Sequence, residues 1–312
     1  MQEILTSFAK DIRETHNHLR EKAKQARNPQ LIKTVQKCSI DLSVCAVDGG
    51  LLSYRVHGTD IIMARAVGVI FTYENSRLKS FEYYPGKKPS SSVEYRDTLD
   101  EHEANVFRSL VRLKHELTCA VNIFEKYSPQ LMLIDGSLLP LPNDRPSDVS
   151  VLLPMYDEII SLYEKLFSQC QDSILCGVIK DSRSKKLTKD LDLNCSDTLF
   201  CNYFLEAGER TNELQYSDAK PSKDLAKLYD QVKVFYLKAS ANDLPLRIET
   251  ISDVDKAASS VHSLSSISDR FAYPAVLIEA DMCAAFDRKD AESLETALSN
   301  LNPLRRNSRP FR

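Results

Sequence analysis

Two stretches of the sequence place an aspartate and a glycine directly after an apolar run: "CAVDGG" at 45–50 and "LIDGSL" at 133–138. Asp-Gly is a strong hairpin signal, because glycine adopts the positive φ angle that a tight turn needs. A hairpin accounts for "SVCAVDGGLLSYRV" as well as a functional site does, but "LMLIDGSLLPLPNDRP" continues into prolines that cannot extend a central strand. The alternative is that Asp48 and Asp135 each end a strand, where glycine turns the backbone aside and lets a ligand approach the carboxylates.

A third acidic residue, Glu116, lies between the two aspartates on a predicted helix. It flanks the apolar stripe of that helix and would face the edge of the sheet. A solvent-exposed position, or an ion pair with Arg112 one turn earlier, accounts for it equally well. Three adjacent carboxylates cannot all stay ionised without a cation, because like charges raise one another's pKa. Oxygen ligands favour Mn²⁺ or Mg²⁺ over zinc, so we predict that Asp48, Glu116 and Asp135 bind such a metal.

Two further residues are candidates for catalysis beside these acids. Two metal ions about 4 Å apart would activate a water and stabilise the leaving oxygen of a phosphodiester, so the predicted reaction is phosphodiester hydrolysis. Lys180 follows the strand "CGVI" and would stabilise charge in the transition state, although a solvated lysine in a basic loop is an equal alternative. Asp281, in "IEADMCAAF", would add a fourth carboxylate, with Glu279 and Asp287 as nearby alternatives.

The order of predicted elements indicates how these residues would be positioned. Residues 2–37 are predicted to form a charged surface helix. Three antiparallel strands follow, at "SVCAV", "IIMARAVGVIFTY" and "RLKSFEYY", and they end in the loop "PGKKPSSSVEYRDT". A helix at 97–127, the strand "QLMLID", a helix at about 147–169 and the strand "SILCGVIK" follow, which predicts parallel crossovers. This is the order of a ribonuclease H-like α/β fold, a mixed sheet flanked by helices.

The remaining third of the chain is predicted to be more peripheral. "QVKVFYLKAS" and "LPLRIETI" look like a hairpin within an insertion at about 185–265, and a closing helix begins at Pro274 and runs through "ESLETALSN". In this fold order Asp48 and Asp135 would be adjacent at the centre of the sheet.

Composition limits the class of protein and its surroundings. The chain has 312 residues, of which 43% are apolar and 27% charged, as in ordinary globular proteins. It contains no apolar run of membrane-spanning length and no signal-peptide pattern, so we predict a cytoplasmic protein without a membrane partner. Its eight cysteines include no C-x-x-C pair, which favours reduced, mostly buried thiols.

The net charge of −3 provides no general attraction to nucleic acid, so binding would depend on local basic segments. Three such segments are the region from Lys10 to Lys37, "KDSRSKKLTK" beginning at Lys180, and the tail "LRRNSRPFR". Each is more often a solvated surface than a binding site.

At these residues the chain resembles the NurA nuclease family, prokaryotic enzymes that process DNA ends and have a ribonuclease H-like core. The resemblance runs through "AVDGG", "RLKHELTCA", "LMLIDGSLLP", "GVIKDSRS", "VFYLKA", "LPLRIE" and "YPAVLIEAD", from about Ser43 to Phe286. The order and spacing of these segments together carry the resemblance. Together with the pattern of predicted elements, it predicts an N-terminal helical segment at 1–40 and a NurA-like nuclease domain at 41–312.

The same resemblance implies an activity and partners. It implies a manganese-dependent 5′→3′ exonuclease on single- and double-stranded DNA with single-strand endonuclease activity, working as a homodimer with a hexameric HerA-type ATPase in DNA end resection. Asp48, Glu116 and Asp135 fall on the family's metal-binding acids and Lys180 on its basic residue. Asp281 falls where some relatives have a histidine, so its role as metal ligand or proton shuttle stays open.

Two other functions remain alternatives at this point. An actin-like kinase or ATPase also uses Asp and Gly at phosphate-binding turns, although those turns usually read Asp-x-Gly-Thr/Ser. A non-catalytic scaffold that keeps the fold and docks an ATPase is the second. The sequence has no G-x-x-x-x-G-K-[ST] motif, so an ATP-driven motor would have to be a separate protein.

Overall fold

One mixed sheet forms the centre of the molecule, and the computed structural model describes residues 2–56, 58–216, 225–265 and 268–301. The strands are β1 (Ile32–Thr34), β2 (Ser43–Val56), β3 (Thr59–Glu74), β4 (Arg77–Tyr84), β5 (Ser92–Asp97), β6 (Leu131–Asp135), β7 (Ile174–Ile179), β8 (Glu209–Thr211), β9 (Leu214–Gln215), β10 (Lys233–Lys238) and β11 (Leu246–Thr250). The helices are α1 (Gln2–Ala26), α2 (Glu101–Tyr127), α3 (Leu153–Gln169), α4 (Lys186–Asp190), α5 (Asp197–Phe204), α6 (Ala226–Tyr229), α7 (Val254–Leu264), α8 (Ala275–Ala284) and α9 (Arg288–Leu301).

The strand order agrees with the predicted fold class. Along the sheet it is β1-β8-β10-β11-β7-β6-β2-β3-β4, with β5 paired to β3 and β9 to β10. β2, β6 and β7 are parallel, whereas β3 and β4 extend the sheet in antiparallel fashion. The parallel strands are joined through α2 and α3, because a parallel pair needs a long crossover. Three antiparallel strands followed by two parallel ones form the ribonuclease H-like core, so the fold-class prediction is confirmed.

Helices cover both faces of the sheet. α2 and α3 pack on one face, in an apolar cluster that includes the fully buried Phe107 and Tyr163. α7 and α8 pack on the other face, where Val261 is fully buried. α1 contacts α5 through Leu19 and Ala23. In the parts of the chain described, no helix is long and apolar enough to cross a membrane.

Asp48 does not end a strand, contrary to the prediction. β2 continues through Asp48 and the two glycines after it to Val56, and every residue of β2 pairs with β3. The turn of this hairpin comes after Val56 and before Thr59, where Gly58 has a φ of +89°. The hairpin exists, but Asp-Gly-Gly is in the strand and not at its turn.

The second Asp-Gly motif forms the predicted structure. Asp135 is the last residue of β6, and Gly136 has a φ of +126°. That angle is one that L side chains rarely adopt, so glycine allows the chain to leave the sheet directly after the carboxylate.

Two predicted boundaries near the N-terminus were wrong. The first helix ends at Ala26 and not at residue 37, because Pro29 follows within a few residues and the chain then forms β1, which pairs with β8. The loop predicted after β4 contains β5, which pairs with β3 over six positions. Alternating exposed and half-buried residues in β5 explain why it lacked a clear apolar pattern.

Two predictions in the last third were also wrong in part. The hairpin of β10 and β11 is not peripheral, since β11 pairs with β7 and joins the ribonuclease H-like strands to β10 and β8. The closing helix does begin after Pro274, but it is interrupted between α8 and α9 at residues 285–287. The division into segments 1–40 and 41–312 stays a prediction, and the basic tail at 304–312 lies outside the described residues.

Candidate active site

Asp48 and Asp135 are adjacent at the centre of the sheet. β2 and β6 are parallel, and their register pairs Val47 with Ile134, so the two aspartates are the next residues on neighbouring strands. Asp48 is only 8% exposed, and its Oδ1 accepts a hydrogen bond of 2.7 Å from the N–H of Gly49. The sequence therefore predicted the neighbours correctly, although it predicted the wrong local structure at Asp48.

Glu116 reaches the same place from α2. It is 3% exposed, and its Oε1 lies 3.6 Å from Nε of Arg112, one turn earlier on the helix. Among the described residues Oε1 has no hydrogen-bond partner. The ion pair that the sequence left open is thus present, and the solvent-exposed alternative is wrong.

Gly49 makes room for the carboxyl group of Glu116. A Cβ atom built on Gly49 would lie 2.7 Å from Oε1 and 2.8 Å from Cγ of Glu116. This is closer than a real Cβ comes to any atom, so residue 49 has to be glycine if the Glu116 side chain is to stay there. The glycine is required for packing against a carboxylate, and it does not bend the strand as predicted.

Burial and mutual repulsion favour the neutral forms of two of these acids. Burial, together with the negative charge of Asp135, raises the pKa of Asp48 to about 7. Burial also raises the pKa of Glu116 to about 8, although the guanidinium of Arg112 acts in the opposite direction. Both groups therefore hold protons near neutral pH unless positive charge is added beside them.

Lys180 contacts Asp135, as the sequence analysis required. Its Nζ donates to Oδ2 of Asp135 at 3.2 Å and lies 4.1 Å from the centre of the Tyr273 ring. The side chain is 36% exposed, so the ammonium group stands between the carboxylate and solvent. Lys180 is not an ordinary solvated lysine.

Tyr273 belongs to the site and was not predicted. Its hydroxyl lies 3.0 Å from Oδ1 of Asp135 and 3.2 Å from the carbonyl oxygen of Val178, and the residue is 1% exposed. Burial and the charge of Asp135 raise the pKa of Tyr273 well above its usual range, so it stays a hydrogen-bond donor. The signal in the sequence was a tyrosine directly before Pro274, since a buried tyrosine needs a partner for its hydroxyl.

Asp281 lies on α8, and its negative charge contributes to the raised pKa of Asp48. The residue itself is exposed. The nearby alternatives point elsewhere: Glu279 accepts a hydrogen bond of 2.7 Å from Tyr83, and Asp287 accepts from backbone N–H groups at the start of α9. Of the three acids, Asp281 is the one whose negative charge raises the pKa of Asp48.

The loop after Asp135 is held from β11. Glu249 is 1% exposed, and its Oε2 accepts from Oγ of Ser137 at 2.7 Å and from the N–H of Leu138 at 2.9 Å. Nε of Arg247 donates to the other oxygen of Glu249 at 2.9 Å. This support was missed because β11 was assigned to a peripheral hairpin.

A cleft of about 800 Å³ opens beside Glu116 and Asp135. It lies between the loop after β6, the loop after β7 and the α2 surface, and its volume is in the range of small-molecule sites. Four arginines and three tyrosines line it: Arg112, Arg145, Arg183, Arg247, Tyr156, Tyr216 and Tyr229.

The donor chemistry of the acids fits a divalent metal ion. Within the described ranges, no three acidic, histidine or cysteine side chains converge closely enough to coordinate an ion as they stand. Yet Oε1 of Glu116 is buried without a hydrogen-bond partner, and burial raises the pKa of both Asp48 and Glu116. All donors are oxygens, which is the set that Mg²⁺ and Mn²⁺ prefer.

Comparison with known proteins shows the family and the fold of this chain. A family model described as the NurA domain matches residues 42–286. The NurA nuclease from Sulfolobus solfataricus superposes with a TM-score of 0.66 at 16% identity, over 96% of each chain. A second NurA structure gives 0.64 at 12% identity over 99% of each chain, and one bound to dAMP and manganese gives 0.59 at 11% over 97% of each. No curated protein sequence matches significantly.

The sheet order and the superposition define the fold as one of the ribonuclease H-like class. The match of the domain model over most of the sequence shows more: the chain belongs to the NurA nuclease family.

Proposed function

We propose that this protein is a metal-dependent deoxyribonuclease that hydrolyses phosphodiester bonds at DNA ends, as a 5′→3′ exonuclease and single-strand endonuclease. The observation that carries the proposal is that Asp48 and Asp135 are neighbours on β2 and β6, while the buried Glu116 of α2 packs against Gly49. Membership of the NurA family supports a nuclease, and a relative crystallised with dAMP and manganese supports both the substrate class and the ion.

Asp48, Glu116 and Asp135 would hold Mn²⁺ or Mg²⁺, two ions in our proposal, with Asp281 as a fourth carboxylate. When bound, such ions supply the positive charge that lowers the pKa of a water and stabilises the leaving oxygen. Lys180 would stabilise negative charge on the phosphate, because its ammonium group lies at the edge of the acid cluster. Tyr273 orients the Asp135 carboxylate through its hydroxyl.

The cleft beside Glu116 and Asp135 would receive the DNA strand. Guanidinium groups bind phosphates, and tyrosine rings offer surfaces on which bases stack. Both kinds of group line the cleft, although Arg112 and Arg247 are also engaged with carboxylates. The cleft would therefore attract a DNA strand only when metal ions add positive charge beside the acidic residues.

The family also supports partners that we propose for this chain: a second copy of itself and a HerA-type ATPase, acting in DNA end resection in the cytoplasm. The exposed, charged face of α1 is our candidate for the ATPase contact. Its apolar residues Leu19 and Ala23 are covered by α5, so its charged residues are left facing outward.

The direct test is a cleavage assay on end-labelled single- and double-stranded DNA with Mn²⁺, Mg²⁺ or EDTA. Wild-type protein should cleave with Mn²⁺ and not with EDTA, and Asp48→Asn should be inactive. Asp60→Asn is the matched control, because Asp60 is also a buried aspartate of the β2–β3 hairpin but pairs near its turn. A folded protein that never cleaves would favour the scaffold, and ATP hydrolysis without a partner would favour the actin-like alternative.

A further inference from the structure

The C-terminal end of α8 is held by a buried arginine of β3. Arg65 is 5% exposed, and its Nε donates to the carbonyl oxygen of Ala284 at 2.9 Å. Its Nη2 donates to the carbonyl oxygen of Ala285 and lies 3.4 Å from Oδ2 of Asp290. The guanidinium also lies over the ring of Phe286, with Cζ 4.3 Å from the ring centre. Four contacts thus fix one buried cation to one helix end.

This helix end has no cap of its own. The last carbonyl groups of a helix have no partner within the helix, and the chain commonly continues there with a glycine of positive φ. The residue that follows α8 is instead Ala285, with φ −56° and ψ 134°. Arg65 supplies donors and positive charge where the helix dipole is negative, so it replaces the missing cap.

Gly50 brings the same helix end against β2. Gly50 pairs with Arg65 in the register of β2 and β3. A Cβ atom on Gly50 would lie 2.0 Å from the carbonyl oxygen of Ala284, so only glycine permits this approach. The end of α8 is therefore pressed onto β2 two residues after Asp48.

The turn fixed in this way carries Asp281. The N–H of Ala285 donates to the carbonyl oxygen of Asp281 at 2.9 Å, which places Asp281 one turn before the residues that Arg65 binds. Asp281 is exposed, and it is near enough to Asp48 for its negative charge to raise the pKa of that carboxyl.

We infer that Arg65 and Gly50 form a clamp that sets the position of Asp281 relative to Asp48, which makes Arg65 a positioning residue for the fourth carboxylate. The clamp consists of the two guanidinium–carbonyl hydrogen bonds and the close contact at Gly50. The inference rests on the proposed function, because it assumes that Asp281 serves the metal site.

A double-mutant cycle separates positioning from simple support of the fold. Wild type, Arg65→Gln, Asp281→Asn and the double variant are compared by turnover on a saturating single-stranded oligonucleotide, and by the rise in Tm that Mn²⁺ causes without DNA. Arg65→Gln should lower turnover and Mn²⁺ affinity by about tenfold, a typical effect of losing a group that orients a ligand. In the Asp281→Asn background the same change should cost less than about twofold.

Three variants complete the design. Arg65→Lys keeps the charge and one carbonyl bond, so it should fall between wild type and Arg65→Gln. Arg210→Gln removes another buried guanidinium, which binds Thr211 and Asp255 on the distant side of the sheet. It controls for lost stability and should leave turnover and the Mn²⁺ response unchanged at temperatures where it is folded. If Arg65→Gln does not fold, Gly50→Ala tests the clamp from the other side, with the same expected coupling to Asp281.

Several results would overturn the clamp. Equal losses from Arg65→Gln in both backgrounds would show that it only supports the fold, and full activity of that variant would show that Asp281 needs no positioning. A protein that responds to Mn²⁺ but cuts no DNA would refute the proposed function and leave the Tm cycle to decide on the clamp. A Tm that does not change with Mn²⁺ would refute both.

Discussion

The carboxyl group of Glu116 occupies the space that a side chain on Gly49 would fill, with the built Cβ only 2.7 Å from Oε1. The residue after the first aspartate is therefore glycine so that an acid from another element can stand beside that aspartate. Packing against Glu116 therefore explains why a glycine follows Asp48 in the sequence.

Gly49→Ala should displace Glu116 and leave the fold intact, because the atoms in conflict belong to a flexible side chain. We expect metal-dependent cleavage to fall by about ten- to a hundredfold, the range seen when a ligand loses its support. Turnover with Mn²⁺ and circular dichroism of the same samples check this. Gly86→Ala is the control, since a Cβ there would meet nothing within 4 Å; equal activity of the two variants would contradict the packing argument.

Much of this site could be predicted because it depends on local patterns. Apolar runs predicted β2, β6 and the helix between them, and their order placed Asp48 beside Asp135. The role of Gly49 and the contact of Tyr273 could not be predicted, since each depends on a residue far away in the chain.

Two strands, β5 and β11, were harder to predict for a physical reason. β5 has a half-exposed pattern without a continuous apolar face, and β11 was separated from its partner β7 by a long polar segment. Both segments are strands because they pair with β3 and β7, and the local sequence does not indicate that pairing. The clamp at Arg65 could not be predicted either, because the sequence around a buried arginine in an apolar strand does not indicate which helix end it binds.

Asp48→Asn should stabilise the protein in EDTA, and more so as pH rises. The pKa of Asp48 is about 7 in the fold against 3.8 ordinarily, so below pH about 4 both states hold the proton. As pH rises towards 7 the unfolded chain loses its proton first, and the free energy of unfolding falls. Asparagine carries no such charge, so its advantage should grow by about 1.4 kcal/mol for each pH unit, to the order of 4 kcal/mol by pH 7, and then level off. Urea unfolding at several pH values measures it, and an advantage that shrinks with pH would contradict the raised pKa.

Mn²⁺ affinity should rise with pH through about 7 to 8. Asp48 and Glu116 have pKa values of about 7 and 8, and a carboxyl must lose its proton to bind a metal. Calorimetric titration in buffers with different ionisation enthalpies should therefore show proton release near pH 7 and less of it near pH 9. Binding without proton release at pH 7 would indicate that these carboxyls are not the ligands.

Lys180→Ala and Tyr273→Phe should lower turnover more than DNA binding. Both side chains contact Asp135, and neither loss removes a ligand, so we expect about a hundredfold slower cleavage at saturating DNA. Glu116→Gln should lose at least as much, and Asp281→Ala should lie between Lys180→Ala and wild type. Single-turnover rates and fluorescence anisotropy separate the two effects; weaker binding with normal turnover would remove Lys180 from catalysis.

The ATPase contact should depend on the outer face of α1. Removing the whole helix would uncover its contact with α5, so charge reversal is the cleaner change. Arg13→Glu with Lys24→Glu should weaken co-purification with a HerA-type ATPase and spare cleavage of short single strands. Both residues are exposed, and Lys79→Glu on β4 is an exposed control. An unchanged complex would move the contact elsewhere.

The central claim is that Asp48, Glu116 and Asp135 together bind the ion on which DNA cleavage depends. Anomalous diffraction from crystals soaked in Mn²⁺ tests it most directly, because it locates manganese without assuming an activity. We predict a peak bounded by these three carboxylates, lost in Asp48→Asn crystals soaked in the same way. A strong peak elsewhere and none among these carboxylates, in a protein that cleaves DNA with Mn²⁺, would contradict the account.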